Sequence, residues 1–562
     1  YEHLPISPLP VSSRDSSTGS DTVQAEQPRS PVVPMTTTGL MPKQDLYITR
    51  LVPPVAPQAG TSRTTTAVAS SSTAAAKTTM HILHVAMEWT IPWLKGVNAS
   101  FGGLGKVVDL FLRDDCPQEI TLCCPVYGLM DGYDTVMSLS QPFGTRTYLV
   151  GSGRQAERVT VDLLRYDPPL HPQRHFIFLR SAALWERKKR SQIYSYTTEW
   201  AELTCLSVFN QAVADVMRLL GPTVDTVHFH DYHGALSPYY LLADNHQLIH
   251  VTLTCHNAHY QGVFFCGGST GRVRYLADAF QLPLALVSRY MLEDTDLNML
   301  AGAVNYIRHF QEGVGICAVS PRYALQISKQ FPMFWRVPEV KGILNAVSED
   351  ERPKLQHAGD VEELRAWKAA AKLRLQAKFG LLSGAEYQLI VFMGRMTHQK
   401  GTDIVADMAG RTLAEFPKAQ FLIAGPVADP WGQYTVSRMA RIEEQFPGRA
   451  VARDMFVQGA DRQDMFAASD FLLVPSRFEP CGLTDIEFGW YGTLCIGFNT
   501  GGLGKMPGFY GDLRDTSDAH LAQVLADTTA LALRCRLKTR LHIYATADHE
   551  AHLPSAGDDE SI

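Results

Sequence analysis

The sequence predicts an α/β protein with two doubly wound lobes facing a cleft. Three observations carry this reading. Short apolar runs of strand length recur along the chain, longer stretches with helical spacing separate them, and the pattern restarts after about residue 350. Strands that alternate with helices imply a mostly parallel sheet covered on both faces. In such sheets, ligands bind in the crevice beyond the carboxyl ends of the strands.

Residues 1–78 are rich in Ser, Thr, Pro and Ala, as in TSRTTTAVASSSTAAAKTT, and have no hydrophobic period. Such a segment buries too little surface to offset its ordering entropy, so it is expected to be disordered. A remnant of an organelle-targeting peptide is the alternative. Order is expected from Met80. Ile82–Met87 (ILHVAM), Ile120–Val126 (ITLCCPV), a run ending at Val227–His230 and Ile249–Cys255 (IHVTLTC) read as buried strands. Between them Leu206, Phe209, Val213, Val216 and Leu220 recur at steps of three and four, one face of a helix. The second lobe offers Leu389–Met393, Phe421–Ala424, Phe471–Val474 and Leu494–Phe498 as strands, and Val361–Phe379 and Thr402–Phe416 as helices. The expected division is a tail over 1–78, a first domain over 79–348, a second over 349–544 and a polar tail over 545–562.

Composition narrows the function. The 562 residues leave room for two or three domains, and 45% hydrophobic with 19% charged residues is ordinary for a globular protein. The net charge of -6 and the absence of a basic block argue against nucleic acid as the main partner. No apolar run approaches the roughly 18 residues that span a bilayer, so no membrane span is expected. The ten cysteines form no CxxC pair, and several sit in apolar strand-like runs such as TLCCP and TLCIGF. Reduced thiols and a cytoplasmic place are therefore expected. The chain opens on Tyr1 rather than Met, so it is expected to be a fragment of a longer protein.

Four segments at strand ends carry candidate chemistry, and a fifth follows them. Gly102-Gly103-Leu104-Gly105-Lys106 is either a plain tight turn or a loop whose backbone approaches a phosphate or sugar. It is not a Walker loop, because Val107 stands where Ser or Thr is required. The same GGLGK recurs at Gly501–Lys505, and one such loop per lobe suits a ligand held across a cleft. His228-Phe229-His230-Asp231-Tyr232-His233-Gly234 hints at a metal, but its spacing does not fit a usual ligand set, and no metal is expected. His256-Asn257 leaves a buried strand and so points to the crevice. Gly394-Arg395-Met396-Thr397-His398-Gln399-Lys400-Gly401 brings two cations to a strand end, where a planar fork and a compact ammonium suit a diphosphate.

The fifth segment, SRFEPCGLTDIEFGWYGTLCIGFNTGGLGKMPG over Ser476–Gly508, is the most informative. A strand, a Gly turn and a helix start give exposed amides and a positive dipole end, a seat for a diphosphate. Glu479 sits in the turn, where an unpaired carboxylate has little structural use. Glu487 has two readings, a ligand contact or the acidic half of a Thr484-x-x-Glu487 capping box. Cys481 is read as packed rather than nucleophilic, and Ser320 as a helix cap.

These motifs, in this order, resemble the glycogen and starch synthase family of retaining glucosyltransferases. The wording Glu-Pro-Cys-Gly-Leu-Thr-Asp-Ile-Glu-Phe-Gly is most similar to the synthase domain of fungal-type cell-wall α-1,3-glucan synthases. The resemblance implies the two-domain GT-B fold and a hexosyltransferase that moves glucose from a nucleotide diphosphate glucose to an α-glucan acceptor. UDP-glucose or ADP-glucose would be the donor, and no cofactor or metal is called for. It implies catalytic roles for His256, Glu479, Arg395 and Lys400. Donor or phosphate contacts fall to Gly102, Gly103, Arg395, Lys400, Gly482, Leu483, Thr484 and Glu487, with Asp231, Asn257, Gly501 and Gly502 in the sugar pocket. A starch or glycogen synthase making α-1,4 links is the alternative. Membrane association through a longer parent protein would place the chain at the cytoplasmic face of the plasma membrane, with a plastid the alternative. One departure stands out: the family pattern Lys-x-Gly-Gly-Leu has Ser100 in place of its lysine. Serine supplies no point charge, a loss on the order of 10²-fold in turnover unless Lys95 or Lys106 reaches the site. A catalytically impaired glucan-binding or regulatory domain is the reading from another class.

Overall fold

A computed structural model of the chain describes residues 79–189, 192–347, 352–353, 361–513 and 516–535. The expected tails over 1–78 and 545–562 lie outside the described residues. The first sheet has nine strands: β1 (His81–Val85), β2 (Glu119–Pro125), β3 (Gln141–Val150), β4 (Glu157–Tyr166), β5 (Arg174–Arg180), β6 (Thr226–His230), β7 (Val251–Cys255), β11 (Ile316–Ala318) and β12 (Lys341–Gly342). Their order is β12-β11-β7-β6-β1-β2-β5-β4-β3. Between β7 and β11 the short strands β8 (Val263–Phe264), β9 (Leu292–Glu293) and β10 (Asp296–Asn298) form a separate antiparallel sheet.

The second sheet is wholly parallel. It contains β13 (Gln388–Met393), β14 (Ala419–Gly425), β15 (Ala450–Asp454), β16 (Phe471–Val474), β17 (Leu494–Phe498) and β18 (Gly508–Gly511), in the order β15-β14-β13-β16-β17-β18. Strand β13 shows why it reads as an unbroken apolar run. Leu389 and Val391 enter one core with Leu375, Leu422 and Phe466, while Ile390 and Phe392 enter another with Ile404, Phe421 and Ile496. Side chains alternate between the faces of a strand, and both faces here lie under helices.

Each sheet reverses its winding once. The first does so at β1, between β2 and β6, and the second at β13, between β14 and β16. A crevice opens beyond the strand ends where winding reverses. The loops that leave β1, β6 and β7 carry Gly102, Asp231 and His256, and those that leave β13 and β16 carry Arg395 and Glu479.

The first sheet departs from the parallel arrangement that the sequence pattern suggests. Strands β3 and β4 run antiparallel to each other, and β4 to β5, extending the sheet at its edge. The first seven residues of β3 are mostly exposed, so no apolar run announces them. A second correction concerns the apolar runs. The helix Glu199–Leu220 is long and apolar enough to cross a membrane, but it is the central helix of the first lobe, and 72% of its apolar window is buried within the protein. Its N-cap Thr198 accepts a hydrogen bond from the Ala201 amide, as helix-start chemistry requires. All ten cysteines are free thiols.

Arg174 fastens the connection between the helix Leu104–Phe111 and β2. It is 1% exposed and donates to the carbonyls of Leu112, Gln118, Cys116, Gln173 and Arg113, the first four at 2.6–3.1 Å. Each carbonyl left unpartnered in a buried place costs roughly 1–3 kcal/mol. Arg174→Met is therefore expected to lower unfolding stability by about 3 kcal/mol or more in urea titration. A loss under about 1 kcal/mol would show that water replaces the guanidinium.

Candidate active site

A cavity of about 310 Å³ lies between the two crevices. Its lining includes Gly102, Gly103 and Lys106 from the first lobe, and Arg395, Lys400, Ser476, Glu479, Gly482, Leu483, Thr484, Asp485 and Glu487 from the second. All eight donor and phosphate residues singled out from the sequence thus meet in one place.

Glu479 is buried at 7% exposure. Its Oε2 accepts from Lys400 Nζ at 2.6 Å and from Ser476 Oγ at 2.8 Å. Burial alone would raise its pKa, but the Lys400 charge and these two bonds outweigh that, and the carboxyl lies below its usual range. Arg395 is differently placed. Its guanidinium carbon lies 5.3 Å from the centre of the Phe101 ring, across the cleft, and among the described residues it makes no hydrogen bond or ion pair. An arginine that lines a cavity and has no carboxylate partner among the described residues suits an anionic ligand.

The helix Leu483–Gly489 begins at Gly482, whose φ of 76° is left-handed and suits glycine. Lys505 holds this start in place. Its Nζ donates to the carbonyls of Cys481 and Gly482 at 2.6 Å and of Gly502 at 3.0 Å, and to both Asp485 oxygens at 2.7 and 2.8 Å. Burial pushes the Asp485 carboxyl up to about 6, with Lys505 opposing it. The second GGLGK loop is therefore a brace. Its Gly501 and Gly502 do not line the cavity as expected. The Gly502 amide donates to the Glu479 carbonyl at 2.7 Å. A side chain at Gly501 or Gly502 would meet the Glu479 or Cys481 carbonyl at 2.1 or 2.2 Å.

Glu487 does not complete a capping box. The helix N-cap is Gly482 with no side-chain cap, and Glu487 Oε1 instead accepts from Lys106 at 2.7 Å and Arg462 at 2.6 Å. Ser320 does cap its helix, Pro321–Gln330, by accepting from the Tyr323 amide, and it also donates to the Pro480 carbonyl at 2.7 Å. Cys481 is buried, and burial pushes its thiol up to about 11, which suits packing rather than nucleophilic chemistry.

His256, Asn257 and Asp231 do not line this cavity. Asp231, at a φ of 61°, accepts from the amides of His256 at 2.7 Å and Asn257 at 3.2 Å through Oδ1. Burial pushes its carboxyl up to about 7, with the two amides opposing and Glu88 adding to the rise. The loop reaches the second lobe through His259, whose ring stacks on Phe478 at 3.8 Å, next to Glu479. Behind it runs a file of imidazoles. His84 Nδ1 is 2.9 Å from His230 Nε2, and His230 Nδ1 is 2.9 Å from His256 Nε2. His84, His228 and His230 bring ring nitrogens within 4.8 Å of one another, a grouping that could take a metal ion. Burial, helped by neighbouring imidazoles, pushes His84 and His230 well down and His256 to about 3. Burial alone takes His228 to about 4.

Sequence reading missed Glu88, which organises the first glycine loop. Its Oε2 accepts from the amides of Phe101 at 2.7 Å and Gly102 at 2.6 Å, and its Oε1 from Tyr194 at 2.9 Å. A lone acid at the exit of β1 was the available signal, the same kind that marked His256. Arg462 and Lys505 were also missed as working parts. Their roles need contacts that no spacing shows.

Comparison with known proteins places these features. Residues 81–334 match the family model "Starch synthase catalytic domain", and residues 387–529 match "Glycosyl transferases group 1". Cell wall alpha-1,3-glucan synthase mok12 of Schizosaccharomyces pombe is 30% identical over 478 residues, 83% of this chain and 19% of that protein. Glycogen synthase of Streptococcus equi subsp. equi is 29% identical over 432 residues, 72% of this chain and 82% of that protein. The chain spans about a fifth of the length of the glucan synthases it matches. Among solved structures, the catalytic domain of starch synthase IV from Arabidopsis thaliana, bound to ADP and acarbose, has a TM-score of 0.61 at 21% identity, covering 84% of this chain and 95% of that one. The two-lobed arrangement is thus the GT-B architecture.

Two expectations follow from the site. Lys505→Met leaves Asp485 buried without its cation, which costs about 3–5 kcal/mol, and the melting temperature should fall accordingly. An unchanged melting temperature would show that Asp485 is held by other groups. The four neutral imidazoles of His84, His228, His230 and His256 also set a pH dependence. Their pKa values lie below the unfolded value, so the unfolded chain binds more protons and stability falls as pH drops below about 6.5. Asp231 and Asp485, with raised pKa values, act in the opposite sense but are fewer. Urea titrations at pH 7 and pH 5 should show a lower midpoint at pH 5, by on the order of 1.4 kcal/mol per pH unit for each net proton. A higher midpoint at pH 5 would overturn the assignment of neutral histidines.

Proposed function

We propose that this chain, which matches the starch synthase catalytic-domain model over residues 81–334 and the group 1 glycosyl transferase model over residues 387–529, transfers glucose from a nucleotide diphosphate glucose to the non-reducing end of an α-glucan, with retention of configuration and α-1,3 linkage. The observation that carries the reading is the convergence of Arg395, Lys400 and Glu479 with the amide-bearing start at Gly482 on one cavity, at both points where the sheets reverse winding. The solved relative bound to ADP and acarbose has the same architecture, which supports a nucleotide diphosphate as a ligand of this chain.

The chemistry follows from charge. As the sugar leaves, positive charge grows on its ring and negative charge on the departing diphosphate. Arg395 offers a planar pair of donors to that diphosphate, Lys400 a compact charge, and the helix start at Gly482 its amides. Glu479, kept ionised by Lys400, orients the sugar hydroxyls. His256, held neutral by burial, donates or accepts at the sugar, and Asp231 fixes the backbone that carries it. The α-1,3 linkage rests on the glucan synthase relatives, which match 83% of this chain against 72% for the glycogen synthase. An α-1,4 linkage is the second reading, supported by the glycogen synthase relatives at 29% and 31% identity.

Incubation of the chain with labelled UDP-glucose or ADP-glucose and an α-glucan, followed by linkage analysis, tests the reading. α-1,3-linked glucose is expected, α-1,4 links would favour the second reading, and no transfer from either donor would leave a glucan-binding domain. Arg395→Ala and Lys400→Ala should each lower kcat by roughly 10²–10³-fold, the scale of losing one preorganised charge at a reacting centre. A change below about threefold in either variant would remove that residue from the site.

A further inference from the structure

The two parts of the first glycine loop face different ways. Ser100, at the position where the family pattern has a lysine, is turned into the first lobe. Its Oγ donates to Glu88 Oε2 at 3.2 Å and to the Gly102 carbonyl at 3.0 Å. It packs so closely on Gly105 that a side chain there would meet Ser100 Cβ at 2.4 Å. Ser100 is absent from the cavity lining, whereas Lys106, in the first turn of the helix Leu104–Phe111, is part of it.

Two cations share one acceptor at that wall. Lys106 Nζ and Arg462 Nη2 both donate to the same oxygen, Oε1 of Glu487, at 2.7 and 2.6 Å. Glu487 is buried, with its side chain 7% exposed, whereas the Lys106 side chain is 45% exposed. Lys106 is the more exposed of the two cations, with Arg462 at 31%, and Glu487 keeps Arg462 when the ammonium swings away. On the facing side, Arg395 lies over Phe101, the residue before Gly102, so an anion at Arg395 sits close to the same loop.

We propose that Lys106 supplies the first lobe's cation to the donor diphosphate, in place of the charge missing at position 100, by passing from Glu487 to the phosphates when the donor binds. Because Lys106 and Glu487 come from opposite lobes, the transfer exchanges a direct contact between lobes for one through the ligand. The inference rests on the nucleotide-sugar reading above.

The test uses the whole chain and its Lys106→Met and Lys106→Arg variants. Affinities for UDP, ADP and inorganic pyrophosphate are measured by calorimetry, beside glucose transfer and melting temperature. Lys106→Met should weaken all three ligands by about tenfold and lower kcat by about 100-fold, with little change in melting temperature, while Lys106→Arg stays within about fivefold of wild type. Ligand affinities within about twofold of wild type in Lys106→Met would overturn the proposal and leave Lys106 as a contact between lobes. Absence of pyrophosphate and nucleotide binding in the wild type would overturn it as well. If the wild type transfers no glucose but Lys106→Met still loses pyrophosphate affinity, the glucosyltransferase reading fails and the Lys106 assignment stands.

Discussion

The geometry of the cleft depends on one ammonium group. Lys505 Nζ ties three backbone carbonyls and the Asp485 carboxylate to a single point, and so fixes the path from Glu479 to the start of the helix Leu483–Gly489. That path must turn sharply, because β16 ends at Val474 and the helix begins nine residues later. A turn of this kind leaves carbonyls pointing inward with no sheet or helix to satisfy them, and buried carbonyls need partners. Lysine, with several donors on one atom, satisfies several at once. Gly482, Leu483 and Thr484 at the end of the same turn then line the cavity, together with Glu479. The first lobe uses the inverse device, since there the buried Glu88 carboxylate gathers the amides of Phe101 and Gly102.

The charges in the cleft form a graded set rather than a row of equivalent groups. Lys505 is fully engaged and holds structure. Lys400 is paired with Glu479, and its charge helps keep that buried carboxyl ionised. Arg395 faces the cavity with an aromatic ring for company. A buried ion pair contributes little net stability compared with apolar packing, whereas leaving one member unpaired is costly. Such pairs fit a site that must hold charge ready for a ligand.

Much of this was legible in the sequence. Strands such as Phe471–Val474 and Leu494–Phe498 are where the apolar pattern put them, because those segments are buried and their pattern is their packing; the helix Val361–Phe379 also has the expected bounds. The edge strands β3 and β18 were not legible. One is largely exposed, and the other is a four-residue run opened and closed by glycine. At the site, residues at strand exits were found because the fold alone directs them to the crevice. What escaped was division of labour between like groups. Nothing in two copies of GGLGK shows that Lys505 is enclosed by carbonyls while Lys106 reaches the cavity. Likewise Thr484-x-x-Glu487 has the spacing of a capping box, but tertiary cations on Glu487 win over the local bond.

Every role proposed for this cleft requires that its cations hold a nucleotide diphosphate. A structure of the chain determined with UDP or ADP bound would examine that requirement without intermediaries. Diphosphate oxygens should lie within about 3 Å of Arg395 and Lys400, with the Gly482–Thr484 amides facing them. A nucleotide seated elsewhere, or Arg395 and Lys400 turned away from the phosphates, would refute the proposed chemistry.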